Sequence, residues 1–190
     1  MAKITAILTI PKGYHLTRDF EIVRLTKNHN LSAFDSGDSD LNDFLKNDAL
    51  LYQEALLSVT YLALNKQNLT IAFFSLSNDS LNDKGYENWN KLNRKIKNSK
   101  RRKDYPAVKI TRLGIDKIFQ GKQLGCQIIN FIKDWFTDDY KTGCRFILVD
   151  AYNNHTVLKF YEKNNDFNFL TEKDGNEKTR IMFFDLMELI

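Results

Sequence analysis

Apolar residues recur along this chain in two rhythms, strict alternation and three-to-four spacing, and the switches between them mark out the elements. Phe20 to Leu25 reads as a strand, and Ser32 to Asp40 is rich in Ser, Asp and Gly, the composition of turns and helix caps. From Ser39 or Asp40, the residues Leu41, Phe44, Leu45, Ala49, Tyr52 and Leu56 return at three- and four-residue steps with Asn, Asp and Lys between them. This predicts an amphipathic helix with those side chains on one apolar face. Ser58 to Leu64 and Leu69 to Leu76 are rich in Val, Thr, Tyr, Ile and Phe. With the turn-like Asn65 to Asn68 between them, they are expected as an antiparallel pair.

A polar insertion, Asn78 to Asp104, carries Trp89 and Leu92 on a short expected helix. Pro106 precedes an extended, β-branched segment, Val108 to Asp116, which is expected as a central strand. Gly121 to Gly125 then leads into a helix running to about Asp139, on which Leu124, Ile128, Phe131 or Ile132, and Trp135 share a face. Arg145 to Asp150 follows as a second buried strand and Asn154 to Lys163 as a helix. Phe167 to Leu170 and Arg180 to Leu186 are strands around the turn-rich Glu172 to Lys178. Strands and helices are interspersed without internal repeat, so the expected class is α/β, a mixed sheet flanked by helices.

A chain of 190 residues suits one domain, 1–190, with the insertion at about 78–104 as its elaboration. Hydrophobic residues at 43%, including 14 Phe and 8 Tyr, are enough to fill its core. The apolar stretch Ile4 to Ile10 is too short to span a bilayer and is followed by Pro11 and Gly13, so neither anchor nor export signal is expected. Cys126 and Cys144 make no disulfide framework or zinc cluster, and His15, His29 and His155 are scattered, so no metal site is expected and a reducing, cytoplasmic setting fits.

The net charge of +4 hides an uneven distribution. Between Lys91 and Lys103 lie Lys91, Arg94, Lys95, Lys97, Lys100, Arg101, Arg102 and Lys103, with no acidic residue among them. Setting these eight aside from the 28 basic residues leaves 20 against 24 acidic ones, a net −4 for the rest of the chain. Such a block serves either as a phosphate-binding patch or as a solvated basic loop.

The segment from Leu113, Gly114 and Ile115 through Gln120, Gly121, Lys122, Gln123, Leu124 and Gly125 runs from a strand through a tight loop into a helix. A new helix presents free backbone N–H groups and the positive end of its dipole, an arrangement that favours phosphate. Two glycines four residues apart fit an ordinary helix start equally well.

Gln120 to Gly125 resembles the coenzyme A loop of GNAT acetyltransferases, Q/R-x-x-G-x-G/A, with Gln123 at the place of the first glycine. Asn154 to Lys163 resembles the later signature N-x-x-A-x-x-F-Y-E-K of the same family, with Val157 for alanine; the glycine-phenylalanine that follows has become Asn165, Asp166 and Phe167. Phe34 to Asp38 followed by Leu41 to Phe44, with the basic segment and Arg112-Leu113, is similar to the subgroup that includes acetyltransferase toxins of toxin-antitoxin pairs, which acetylate the amino group of aminoacyl-tRNA.

The resemblance covers roughly Phe20 to Leu186 and implies the GNAT acyltransferase fold, with a mixed, mostly antiparallel sheet. It implies acetyl-CoA as cofactor, bound by Leu113, Gly114, Ile115, Gln120, Gly121, Lys122, Gln123, Leu124 and Gly125, with Asn153 or Asn154 on the pantetheine. Tyr161 is the implied general acid at the sulfur. An unperturbed tyrosine titrates near ~10 and a thiol near ~8.5, so the hydroxyl is read first as a hydrogen-bond donor. Arg112, Arg94, Lys95, Arg101 and Arg102 are candidates for contact with RNA or an acceptor group, and Arg112 equally for an ion pair. An antitoxin partner and a homodimer are further implications. Three readings stand open: direct acetyl transfer to aminoacyl-tRNA, transfer to a small or protein amine, and a non-catalytic RNA- or protein-binding module on the same fold.

Overall fold

A computed structural model describes residues 20–83, 86, 89–96, 102–138 and 142–190. Seven strands form one mixed sheet: β1 (Phe20–Arg24), β2 (Val59–Asn65), β3 (Thr70–Asn82), β4 (Asp104–Ile115), β5 (Phe146–Tyr152), β6 (Asn168–Phe169) and β7 (Thr179–Asp185), in the order β1-β2-β3-β4-β5-β7-β6. The β4–β5 pair is parallel, whereas β1–β2, β5–β7 and β6–β7 are antiparallel. A mixed sheet with flanking helices is what the pattern predicts, and the mostly antiparallel pairing is what the family resemblance implies. Among the described residues, no helix is long and apolar enough to cross a membrane. The described residues fall into two compact units: those within 20–75 and 112–138, and those within 76–111 and 142–190.

In the first unit, Asp38 caps α1 (Ser39–Asp43) by accepting from the N–H groups of Asp40 at 2.9 Å and Leu41 at 3.2 Å. The helix then passes through a π-helical segment, Phe44–Asp48, before α2 (Ala49–Glu54). Ala49 N–H donates to the Phe44 carbonyl, five residues back. This corrects the sequence expectation. The apolar face holds through Phe44, Leu45 and Ala49, all buried, but Tyr52 is exposed and Leu56 is 90% exposed with φ of 58°. Tyr52 still meets the Phe44 ring edge-on at 5.4 Å, whereas Leu56 lies beyond the helix, which ends at Glu54, and its left-handed backbone turns it away from the apolar face.

Successive strand residues face opposite ways, and Phe73 and Phe74 show it. Phe73 meets Phe34 at 5.5 Å and Phe44 at 6.3 Å, while Phe74 meets Tyr61 at 5.3 Å and Phe131 at 6.3 Å. The π segment therefore covers one face of this part of the sheet and α4 (Leu124–Asp138) the other, with Ile128, Ile129, Phe131 and Ile132 buried.

In the second unit, β3 runs on to Asn82 and β4 begins at Asp104, so the insertion is shorter than its polar composition suggests. Polar residues at 78–80 belong to a strand because its backbone is paired while the side chains reach water. Its helix, α3 (Trp89–Lys95), buries Leu92 in a cluster with Leu81, Tyr105, Phe146, Leu170 and Phe183, against which Tyr86, Trp89 and Ile96 also pack. β4 and β5 pair from Ala107↔Phe146 to Ile110↔Val149, and α5 (His155–Asn165) follows β5. The chain closes in a 3₁₀ turn, Leu186–Leu189.

Candidate functional site

The loop between β4 and α4, in the first unit, is built on a buried carboxylate. Asp116, 6% exposed, accepts from Asp35 N–H at 3.1 Å and from Ile118 N–H at 3.0 Å, while its own N–H donates to the Ile71 carbonyl at 2.9 Å. Residues 35 and 36 then hold the loop at two further points. Lys117 Nζ pairs with Asp35 Oδ2 at 2.7 Å, and Gln120 Nε2 donates to the carbonyls of Ser36 at 2.8 Å and Ile115 at 3.0 Å. The Lys117 ammonium, with Gly37 N–H and the Asn42 amide, holds the Asp35 carboxyl well below the usual carboxylate range.

Beyond this clamp the backbone enters the left-handed region twice, at Gly121 with φ of 73° and at Gln123 with φ of 62°. Gln123 thus occupies a conformation that glycine adopts without strain and an L-residue does not. Nothing lies within 4 Å of where a Cβ on Gly121 would stand, so that side of the loop is open. The N–H groups of Leu124 and Gly125 lie ahead of the bond from Gln127 N–H to the Gln123 carbonyl at 3.1 Å and have no carbonyl of their own helix to reach. The loop therefore ends at a helix N-terminus, where free backbone N–H groups and the helix dipole favour an anion. Lys122 sits over the Phe119 ring at 5.3 Å.

On β4, Gly114 is required by packing: a Cβ there would strike the Phe73 ring. Leu113 and Ile115 flank it, half-buried. Arg112 lies over the Phe44 ring at 5.0 Å with Nε 4.0 Å from Asp40 Oδ2. Of its two sequence readings, this geometry displays the ion pair, and at the start of α1.

In the second unit, Asn153 donates through Nδ2 to the carbonyls of Gly175 at 2.8 Å and Glu177 at 2.9 Å, pinning the loop before β7. Asn154 caps α5, its Oδ1 accepting from Val157 N–H at 2.9 Å. Tyr161, two turns on, is 6% exposed between Phe160 at 4.9 Å and Phe167 at 5.4 Å, and burial raises its hydroxyl pKa. Its carbonyl accepts from the N–H groups of Asp166, at φ of 59°, and Phe167, which close the helix. Arg94 and Lys95 stand exposed at the end of α3, and Arg102 is exposed with its carbonyl accepting from Trp89 Nε1 at 3.3 Å. Arg101 lies outside the described residues.

Sequence reasoning missed the clamp from Asp35 and Ser36. Its signal was the Asp-Ser-Gly-Asp run, which reads locally as a turn and whose long-range partners only the fold reveals.

No family model matches the sequence. The fold is the GNAT acyltransferase fold, which solved structures share over nine-tenths of the chain. A tyrosine mutant of KacT superposes with a TM-score of 0.73 at 19% identity, over 91% of this chain and 100% of that one. AtaT complexed with acetyl-methionyl-tRNAfMet gives 0.72 at 21% identity, over 90% and 97%. An AtaT mutant toxin bound to the C-terminus of the antitoxin AtaR and to acetyl-CoA gives 0.68 at 20% identity, over 90% and 96%.

Proposed function

We propose that this chain is an acetyl-CoA-dependent N-acetyltransferase that acetylates the amino group of an aminoacyl-tRNA and is held in check by an antitoxin. The observation that carries the reading is the β4–α4 loop: clamped by Asp35 and Ser36, open at Gly121, and leading directly into the N-terminus of α4. It fits a pyrophosphate, and it lies on a fold shared with an AtaT structure that holds acetyl-CoA and with another that holds an acetylated aminoacyl-tRNA.

When bound, acetyl-CoA supplies the thioester whose carbonyl the amine attacks. Gln120 to Gly125 binds its phosphates, and the β4 backbone from Leu113 to Ile115 orients the pantetheine and donates an N–H to the acetyl oxygen. Asn154 holds the start of α5, and through it Tyr161, in position. The Tyr161 hydroxyl, neutral at physiological pH and kept so by burial, would be the hydrogen-bond donor to the departing sulfur. The amine of an aminoacyl ester is acidic enough to lose its proton to water, so no side chain is assigned as base. The exposed Arg94, Lys95 and Arg102 bind the RNA.

Calorimetry with acetyl-CoA, on the native protein and on Gly125→Trp, is the test. Micromolar binding that the substitution weakens at least tenfold, followed by transfer of labelled acetyl to aminoacyl-tRNA, is the expected result. A native protein that does not bind acetyl-CoA overturns the reading.

A further inference from the structure

The second unit holds a cavity of about 300 Å³ of whose lining the reading above uses only Lys95. Its walls combine three kinds of chemistry. On α3, Lys91 and Lys95 stand exposed four residues apart, so their ammonium groups flank one turn of helix. Aromatic rings come from β7, β6 and position 86, between β3 and α3: Phe183 is buried, while Phe169 and Tyr86 are half-buried and line the cavity. Tyr86 is fixed edge-on against Phe183 at 5.2 Å, and Arg180 braces the Phe169 ring from 4.1 Å. The remaining polar lining comes from Asn168 and Glu188, both exposed. Asp185 also lines the cavity, but its carboxylate is engaged by Arg145 at 2.8 Å and by Met187 N–H at 3.0 Å.

Paired cations suit a phosphate, pre-set aromatic faces suit a flat heterocycle, and a carboxylate beside an amide suits the hydrogen-bonding edge of a base with an exocyclic amine. The volume is near the lower end for small-molecule sites and fits one nucleotide. We propose that this cavity takes one unstacked nucleotide of a single-stranded RNA segment, with Lys91 and Lys95 on its phosphate, Tyr86 and Phe169 against its base, and Glu188 accepting from the exocyclic amine. A base inside a duplex presents no free face to such rings, so the site selects single strands. The proposal rests on the reading of the acceptor as an RNA and names where that RNA is gripped.

Fluorescence anisotropy on the full chain without acetyl-CoA tests it, using labelled oligocytidylate, oligoadenylate, oligouridylate and an RNA duplex. Oligocytidylate and oligoadenylate are expected to bind more tightly than oligouridylate or duplex. Joint substitution Lys91→Gln and Lys95→Gln is expected to weaken single-strand binding about tenfold and to reduce the slope of log affinity against log salt by about 0.7, the value for one phosphate on a single strand. Glu188→Met should abolish the preference for amino-bearing bases and leave oligouridylate unchanged. These side chains are exposed, so an unaltered melting curve separates lost binding from lost fold. The proposal is overturned if native protein binds duplex as well as single strands, or if the lysine pair weakens duplex equally. Acetyl-CoA plays no part in the measurement, so a failure here leaves the calorimetric test of transferase function standing, and the converse holds.

Discussion

Gln123 and Asp166 are the two places where the sequence departs from glycine in the acetyltransferase pattern, and both have positive φ, 62° and 59°. Each tolerates a conformation that disfavours an L-residue by ~1–2 kcal/mol, less for Asp, whose short side chain bonds locally. At Gln123→Gly the relief of strain exceeds the extra freedom of the unfolded chain, roughly 0.5–1 kcal/mol. The variant should melt about 1–3 °C higher by calorimetry, with acetyl-CoA binding equal to or tighter than native.

Tyr161 is tested by removal of its hydroxyl. Tyr161→Phe keeps the ring between Phe160 and Phe167, so acetyl-CoA affinity and melting temperature should hold while turnover falls about 10²-fold or more. The sign of its pH dependence follows from burial. Because the folded pKa is raised above the unfolded value of ~10, stability from the neutral hydroxyl is complete below pH ~10 and declines only as pH climbs through the folded value. Native turnover should therefore show no loss from Tyr161 ionisation below that pH.

At the scale of elements, the β4–α4 loop owes its form to a segment more than eighty residues upstream. Asp35 pairs with Lys117 and accepts from Gly37 and Asn42, and its carboxyl is held below its ordinary pKa of 3.8. A depressed carboxyl stabilises the fold above its unfolded pKa, and that contribution disappears as pH falls through the folded value. Urea melts of native protein and Asp35→Asn should therefore converge as pH drops below about 4, and acetyl-CoA affinity should fall in the variant at neutral pH, where the ion pair is lost. Equal acid sensitivity in both proteins would remove Asp35 from this role. The end of α2 belongs to this scale too: the helix stops at Glu54, and the left-handed turn at Leu56 separates that exposed side chain from the buried Phe44, Leu45 and Ala49.

For the whole molecule, element order and type were legible because they follow from local periodicity. The strand, loop and helix around Gln120 to Gly125, the capped helix carrying Tyr161, and the alternating strands all stand where residue spacing alone predicts them. Local chemistry also marked Asn154 as the start of α5 and the basic block as a feature apart from an otherwise acidic chain. Only the tertiary structure decided that Asp116 and Gln120 bond inward to Asp35, Ser36 and Ile115, that Gly114 is required by Phe73, and that the insertion buries Leu92 with Phe183 around an aromatic cavity. Spacing reports which side chains share a face over a few turns. Partners eighty residues away are chosen by sheet pairing and close packing, which depend on the whole chain at once.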